Sequence, residues 1–233
     1  MTLRKLQKMA IHAMRISYEK DVLLEPACPS SPFVLFDHWF ADAVTHQSPE
    51  SEPNGVCLST CNTQGRPSSR MVLLKSFDQN GFVFYTNYNS RKALELQSNP
   101  FASMVFWWGQ RSVRIEGAVE KTSEEEATAY FNSRPRGSQL GAWTSPQSSG
   151  LRDRQELEDL EAQIKERFAN VDPIPKPPHW GGFRLVPDTI EFWQVCARFR
   201  LTKKGRPSRL HDRIKYTRLS PDSTEWKFIR LAP

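Results

Sequence analysis

The period of apolar residues changes several times along the chain, and each change marks an element. Ser31-Pro32 opens a helix, with a hydroxyl at the cap and a proline whose missing N–H does no harm there. Phe33, Phe36, Phe40 and Val44 follow at helical spacing and predict one apolar face. After a loop at Glu50–Gly55 the period drops to two. Val56–Cys61, Arg66–Lys75 and Gly81–Thr86 read as strands, joined by the turns Asn62-Thr63-Gln64-Gly65 and Asp78-Gln79-Asn80. Arg91–Ser98 reads as a short helix stopped by Asn99-Pro100, and Phe101–Trp108 with Ser112–Lys121 as a hairpin. Ser123 begins a capping box with Glu126, so Ala127–Ser133 is predicted helical, as is Asp153–Asn170. The prolines at 173, 175, 177 and 178 predict a stiff extended link. Gly182–Pro187, Thr189–Gln194, Arg209–Arg218 and Trp226–Leu231 read as returning strands. The expectation is a mainly β protein of the α+β class, a β-barrel with peripheral helices.

Composition narrows the function classes. The 38% hydrophobic and 25% charged residues describe a globular chain, and no apolar run approaches the roughly 20 residues of a membrane span. Arg4, Lys5 and Lys8 are not followed by an apolar stretch, so no secretory signal is expected and a cytoplasmic location is the default. Cys28, Cys57, Cys61 and Cys196 lack metal-ligand spacing; Cys57 and Cys61 sit in a strand-like stretch and are expected to pack, with no metal bound. The net charge of +6 invites a nucleic-acid reading, but Arg198, Arg200, Lys203 and Lys204 supply four of those charges within ten residues. The remaining surface is mixed, and neither nucleic acid nor membrane is expected as a partner. No glycine-rich strand-to-helix turn of the dinucleotide-binding type is present.

Four segments set cations among hydroxyls and aromatics in a way that suits a phosphorylated planar ligand. Arg70-Met71-Val72-Leu73-Leu74-Lys75 carries a cation at each end of a strand, on opposite faces, although taken alone it reads better as a core strand with snorkelled ends. In Tyr85-Thr86-Asn87-Tyr88-Asn89-Ser90-Arg91-Lys92, Ser90 is placed to cap a helix whose free N–H groups attract phosphate. Arg91 and Lys92 oppose the helix dipole there, a cost that a bound anion would remove. Tyr130 and Arg134 fall on one helical face with Ser138 just beyond Pro135, either a phosphate cradle or a helix end with favourable basic residues. Arg209, His211 and Arg213 share a strand face and repel one another unless an anion or a π system lies across them. Glu191-Phe192-Trp193-Gln194 offers an aromatic wall nearby.

These segments, with Gly141-Ala142-Trp143, Pro146-Gln147-Ser148-Ser149 and the terminal Arg230-Leu231-Ala232-Pro233, occur in the order seen in pyridoxine/pyridoxamine 5'-phosphate oxidases. The chain resembles that family from about Met14 to Pro233. The resemblance implies an FMN-binding split β-barrel at residues 31–233, behind a leader at residues 1–30 that closes over the site. It implies a homodimer with two FMN sites at the subunit interface. FMN contacts fall to Arg70, Met71, Val72, Leu73, Leu74, Lys75, Tyr85, Thr86, Arg91 and Lys92, with Gln147, Ser148, Trp193 and Arg213 completing the pocket. Substrate phosphate would sit among Lys75, Tyr130, Arg134 and Ser138, with Arg15 and Tyr18 on the leader. Arg209 and His211 would flank the pyridine ring as the catalytic pair. The implied reaction is oxidation of pyridoxine or pyridoxamine 5'-phosphate to pyridoxal 5'-phosphate, with dioxygen as acceptor.

Two departures from the family pattern stand out. Ser112 takes a place where many members carry a glutamine, with Gln110 close by. Ten additional residues, Val195–Lys204, separate Gln194 from Gly205-Arg206-Pro207-Ser208-Arg209. Removing them restores a family-like join, and their codons can be read as splice signals. The segment is therefore expected to be dispensable, as a translated short intron would be. Its rivals are a solvent-exposed hairpin extension and an insertion that displaces Arg209 and His211, leaving a ligand-binding relative without turnover.

Overall fold

The computed structural model describes residues 22–46, 52–195, 211–220 and 223–233. After a single 3-10 turn at Glu25–Ala27, the described elements run α1 (Pro32–Thr45), β1 (Gly55–Cys61), β2 (Pro67–Leu73), β3 (Ser76–Asp78), β4 (Gly81–Asn87), α2 (Arg91–Ser98), β5 (Phe101–Trp108), β6 (Arg111–Lys121), α3 (Glu124–Ser133), α4 (Arg136–Thr144), α5 (Arg154–Arg167), β7 (Trp180–Gln194), β8 (Asp212–Arg218) and β9 (Trp226–Arg230). All nine strands belong to one antiparallel sheet in the order β2-β1-β5-β6-β7-β4-β3, with β8 and β9 added beside β7. The terminal strands of that order, β2 and β3, are consecutive in the chain, with only Leu74 and Lys75 between them. The sheet must therefore curl until its two ends approach, although no ladder closes it.

The β7 strand is where the barrel splits. One edge pairs with β6 over Phe183–Gln194; the other pairs with β4 over Trp180–Leu185 and then with β8 over Thr189–Gln194. The sequence reading had two strands here, broken at Pro187. The strand is continuous because the missing proline N–H falls at a β-bulge opposite Glu116/Gly117. A Cβ on Gly117 would lie 2.0 Å from the Val186 carbonyl oxygen, so the bulge depends on glycine.

The helix α1 fills the curl. Phe36 is fully buried and meets Phe77, Phe82 and Phe106 at centroid distances of 4.8, 4.9 and 5.3 Å, tying β3, β4 and β5 together. Trp39 packs edge-on against Phe192 of β7 at 5.2 Å. The buried face is Phe33, Leu35, Phe36 and Trp39, and Val44, predicted to share it, is exposed at the helix end. Ser31 occupies the cap position without making a side-chain cap bond. Along β1, Val56, Leu58 and Thr60 point inward, so Cys57 and Cys61 lie on the half-exposed face and outside the core. A second apolar cluster, Phe131, Phe168, Ile174 and Trp180, anchors α3, α4 and α5 beside the mouth of the barrel.

Candidate active site

A cavity of about 730 Å³ opens where the β2–β3 junction, β4, the start of α2, and the α3–α4 region meet. Its lining brings together residues that the sequence placed in four separate segments: Arg70, Met71, Val72, Leu73 and Lys75; Tyr85, Thr86 and Lys92; Tyr130, Arg134 and Ser138; and Gln147. Arg70 and Lys75 reach the same space despite their alternate parity, because β2 ends at Leu73 and the chain turns there toward β3.

One group of residues is built around Lys92. Its side chain is buried in the first turn of α2, and Nζ donates to Thr86 Oγ1 at 3.2 Å, Gln147 Oε1 at 3.1 Å and Ser90 Oγ at 3.3 Å. All three partners are neutral, and among the described residues no carboxylate pairs with this ammonium. Burial, with the nearby positive charge of Arg70, pushes the Lys92 pKa down to about 8. Ser90 stands at the cap position but makes no cap bond, so its hydroxyl serves Lys92 instead. Behind this group Arg70 is fixed by Thr60 Oγ1 at 2.6 Å, by Ser68 Oγ and by Glu95. Burial would raise the Glu95 carboxyl, yet hydrogen bonds from Ser68, Thr60 and Arg91 outweigh it and hold the pKa at about 2. The anion thus supports Arg70 and Arg91 and leaves Lys92 uncompensated.

The other group is built around Arg134, the residue that ends α3. Its guanidinium carbon lies 4.7 Å from the Trp180 ring centroid, and Nη1 is buried without a hydrogen-bond partner. Tyr85 stacks on Tyr130 at 4.0 Å and on Trp180 at 5.3 Å, making a flat aromatic wall. Burial, followed by the charge of Glu126, raises the Tyr85 phenol to about 12, so this ring stays neutral. Gly182 makes the approach possible: a Cβ there would lie 2.8 Å from the Tyr85 ring and 2.6 Å from Thr122 Oγ1.

A third set lies elsewhere on the molecule. Trp193, at the far end of β7, faces Arg213 in the β7–β8 ladder, with its ring 4.9 Å from His211 and 5.7 Å from the exposed Trp107. Arg213 Nε donates to the buried Glu191 at 2.8 Å, and Nη1 to the Ala232 carbonyl at 2.9 Å. Glu191 also accepts from Arg114 at 2.6 Å, so one buried carboxylate is shared by two arginines. Trp193 is thirteen residues along β7 from Trp180, up to about 40 Å at a rise of about 3.3 Å per residue.

Comparison with known proteins places this architecture. Residues 45–168 match the profile of pyridoxamine 5'-phosphate oxidase, and residues 180–233 that of the pyridoxine 5'-phosphate oxidase C-terminal dimerisation region. Pyridoxine/pyridoxamine 5'-phosphate oxidase of Burkholderia thailandensis is 50% identical over 222 residues, covering 94% of this chain and 97% of the relative. The protein of that name from Synechocystis is 49% identical, with coverage of 94% and 96%. The chain belongs to the pyridoxamine 5'-phosphate oxidase family. Among solved structures, PhzG from Burkholderia lata 383, in complex with tetrahydrophenazine-1-carboxylic acid, is 31% identical with a TM-score of 0.78, over 91% of this chain and 98% of that one. A pyridoxamine 5'-phosphate oxidase-related, FMN-binding protein of Nostoc punctiforme shares the fold at 19% identity and TM-score 0.63, over 85% of this chain and 97% of that one. The fold is the split barrel of FMN-binding oxidases of this family.

Within this oxidase-family chain several expected site residues fall outside the cavity lining. Leu74 is buried in the core, where it supports the β2–β3 junction. Arg91 turns back along α2 to Glu95 at 2.9 Å. Ser148, with φ 73°, follows Gln147 on the exposed loop after α4. Trp193, His211 and Arg213 belong to the matched dimerisation region. Arg15, Tyr18 and Arg209, with residues 196–204 of the extra segment, lie outside the described residues. Ser112 is paired with Trp193 across the β6–β7 ladder, and the Gln110 carbonyl accepts the Val195 N–H at 3.1 Å. The sequence reading missed Asn87, Gly141, Ala142, Ser145 and Trp180 as lining residues. Four of them sit on or beside α4 or in the β4–α2 turn, and none carries a charge that would have drawn notice. Among the described residues there is no group of metal-ligating side chains, and no helix is long and apolar enough to cross a membrane.

Proposed function

We propose that the protein is an FMN-dependent oxidase that converts pyridoxine or pyridoxamine 5'-phosphate to pyridoxal 5'-phosphate. Dioxygen takes the two electrons and leaves as hydrogen peroxide; the amine substrate also consumes water and releases ammonia. The observation that carries this reading is the pair of uncompensated cations in one cavity, buried Lys92 with three neutral partners and half-buried Arg134 with a buried, orphaned Nη1. Burying a cation without a counter-ion is costly, so such groups mark where an anion is to be received. Two of them, flanking an aromatic wall, suit two phosphate monoesters on two flat rings.

The residues fit FMN and a phosphorylated pyridine together. Lys92, Arg70 and the free N–H groups at the start of α2 would take the FMN phosphate, with Thr86 and Gln147 fixing the lysine. The chemistry that FMN would supply there is two-electron redox chemistry, able to take a hydride from the substrate 4' carbon and to be reoxidised by dioxygen. Arg134, Lys75, Tyr130 and Ser138 would hold the substrate phosphate and so orient the ring. Arg209 and His211 are assigned, through the family resemblance, to the opposite side of the pyridine, where Arg209 orients the ring and stabilises its charge. Trp193, His211 and Arg213 are not among the residues that line the cavity and fall in the matched dimerisation region, which favours a homodimer in which a second copy brings this set to the site. Ser148 and Arg91 would complete the FMN contacts from the cavity rim.

A second reading, a flavin oxidase of a reduced heterocycle lacking phosphate, is favoured by the likeness to PhzG. Anaerobic mixing separates the two. The proposed enzyme has its flavin bleached by pyridoxamine 5'-phosphate and far more slowly by pyridoxamine; equal bleaching by both would reject the phosphate-directed reading. Heat release of the flavin should yield FMN, and recovery of FAD alone would count against the cofactor assignment.

A further inference from the structure

Arg134 differs from every other arginine lining or flanking the cavity in what holds it. Arg70 and Arg91 are both tied to Glu95. Arg134 has no carboxylate partner among the described residues, and its Nη1 is buried with no hydrogen-bond acceptor. What it does have is a π surface: its guanidinium carbon is 4.7 Å from the Trp180 ring centroid and 5.7 Å from that of Phe131. Trp180 is itself buried and locked, stacked on Tyr85 at 5.3 Å with an interplanar angle of 8°, and edge-on to Phe131 at 5.2 Å. It opens β7, so the sheet fixes its backbone through the pairing with Asn87.

This choice of support has a chemical consequence. A carboxylate would neutralise the guanidinium and occupy its N–H groups, and an incoming phosphate would have to displace it. An aromatic face attracts the cation through its quadrupole while using none of the in-plane donors. The guanidinium is thereby held in place with its fork still available. We propose that Trp180 is the positioning residue for Arg134, and that its ring sets the affinity of the cavity for the phosphate end of the substrate. The proposal rests on the reading above that Arg134 receives that phosphate.

The test uses the FMN-loaded protein with pyridoxal 5'-phosphate as binding probe, and pyridoxamine 5'-phosphate and pyridoxine as substrates. Trp180→Leu keeps apolar bulk and removes the π face; Trp180→Phe keeps a smaller one. The dissociation constant should rise in the order Trp, Phe, Leu, about threefold for Phe and about tenfold for Leu, in line with a desolvated cation–π contact. The KM for pyridoxamine 5'-phosphate should follow, with kcat and the FMN dissociation constant within about twofold of the parent. Toward pyridoxine, which has no phosphate for Arg134 to hold, the loss should be clearly smaller than toward pyridoxamine 5'-phosphate. In an Arg134→Ala background neither substitution at Trp180 should weaken the probe further. Should the leucine variant not fold, the phenylalanine step, compared with and without Arg134, carries the same test. An unchanged dissociation constant in Trp180→Leu, an equal loss toward pyridoxine, or a loss that persists without Arg134 overturns the proposal. If Arg134→Ala itself leaves probe binding intact, the phosphate assignment falls first and takes the proposal with it.

Discussion

Replacing Lys92 by methionine removes a buried ammonium while keeping its apolar stem, and the two states of the protein should respond in opposite directions. In the flavin-free protein the charge sits among Thr86, Ser90 and Gln147 with its pKa pushed down from 10.5 to about 8 by burial and by Arg70. At about 1.36 kcal/mol per unit that shift corresponds to about 3 kcal/mol of unfavourable interaction at most. Screening through the open side of the cavity reduces this to about 2 kcal/mol. A lysine whose folded pKa lies below its unfolded value destabilises the fold fully below pH 8, and the penalty fades as pH rises from about 8 to 10.5. Lys92→Met should therefore raise the melting temperature of the flavin-free protein at pH 7 by about 4–8 °C, at about 2–4 °C per kcal/mol for a chain of this size. The gain should shrink toward pH 10. The same variant loses a charge-assisted bond to the FMN phosphate, roughly 1.5–3 kcal/mol, which weakens FMN roughly 10- to 150-fold. Melting curves with and without flavin, and FMN titration followed by quenching of its fluorescence, measure both effects. A variant that melts lower without flavin, yet binds FMN as tightly as the parent, would refute the argument that Lys92 is a cation awaiting its anion.

Three further outcomes are expected, two from the same geometry and one from the sequence. FMN affinity should be level below pH 8 and fall above it by up to about tenfold per unit, because binding then requires proton uptake by Lys92; a flat profile to pH 10 would contradict this. Arg134→Ala should weaken pyridoxal 5'-phosphate by roughly 1.5–3 kcal/mol while leaving FMN nearly untouched, and equal weakening of both would show that the two phosphate groups are assigned wrongly. A protein lacking Val195–Lys204 should bind FMN and turn over at least as well as the full chain; loss of activity on deletion would show the segment to be a working part, and the intact mass of the native protein tells whether it is present at all.

Most strands and most helices were legible because alternation and capping act locally, although β3 was not read and β7 was read as two strands. Arg91–Ser98 and Phe101–Trp108 were bounded as observed, and Ser123 and Asp153 cap their helices through hydrogen bonds from the Glu126 and Glu156 N–H groups. The helix α4 was missed because Gly137 and Gly141 weaken its propensity and Pro135 at its cap offers no side-chain bond. Packing against Trp143's neighbours in the second cluster overrides both. The candidate site was legible where charge marked it, as at Arg70, Lys75, Lys92 and Arg134. Trp180 was not, because its role depends on which cation the fold lays across it. Nor could spacing along the chain tell that Trp193 and Arg213 fall outside the cavity lining, since that depends on how β7 and β8 are placed in the sheet.

The central claim is that one cavity holds FMN and a phosphorylated pyridine so that the first oxidises the second. Its most direct test is turnover of the FMN-reconstituted protein with pyridoxamine 5'-phosphate in air, following pyridoxal 5'-phosphate, ammonia and hydrogen peroxide together. The account predicts all three in equal amounts, over many cycles per flavin. A protein that binds FMN and pyridoxal 5'-phosphate but forms neither aldehyde nor peroxide would contradict it.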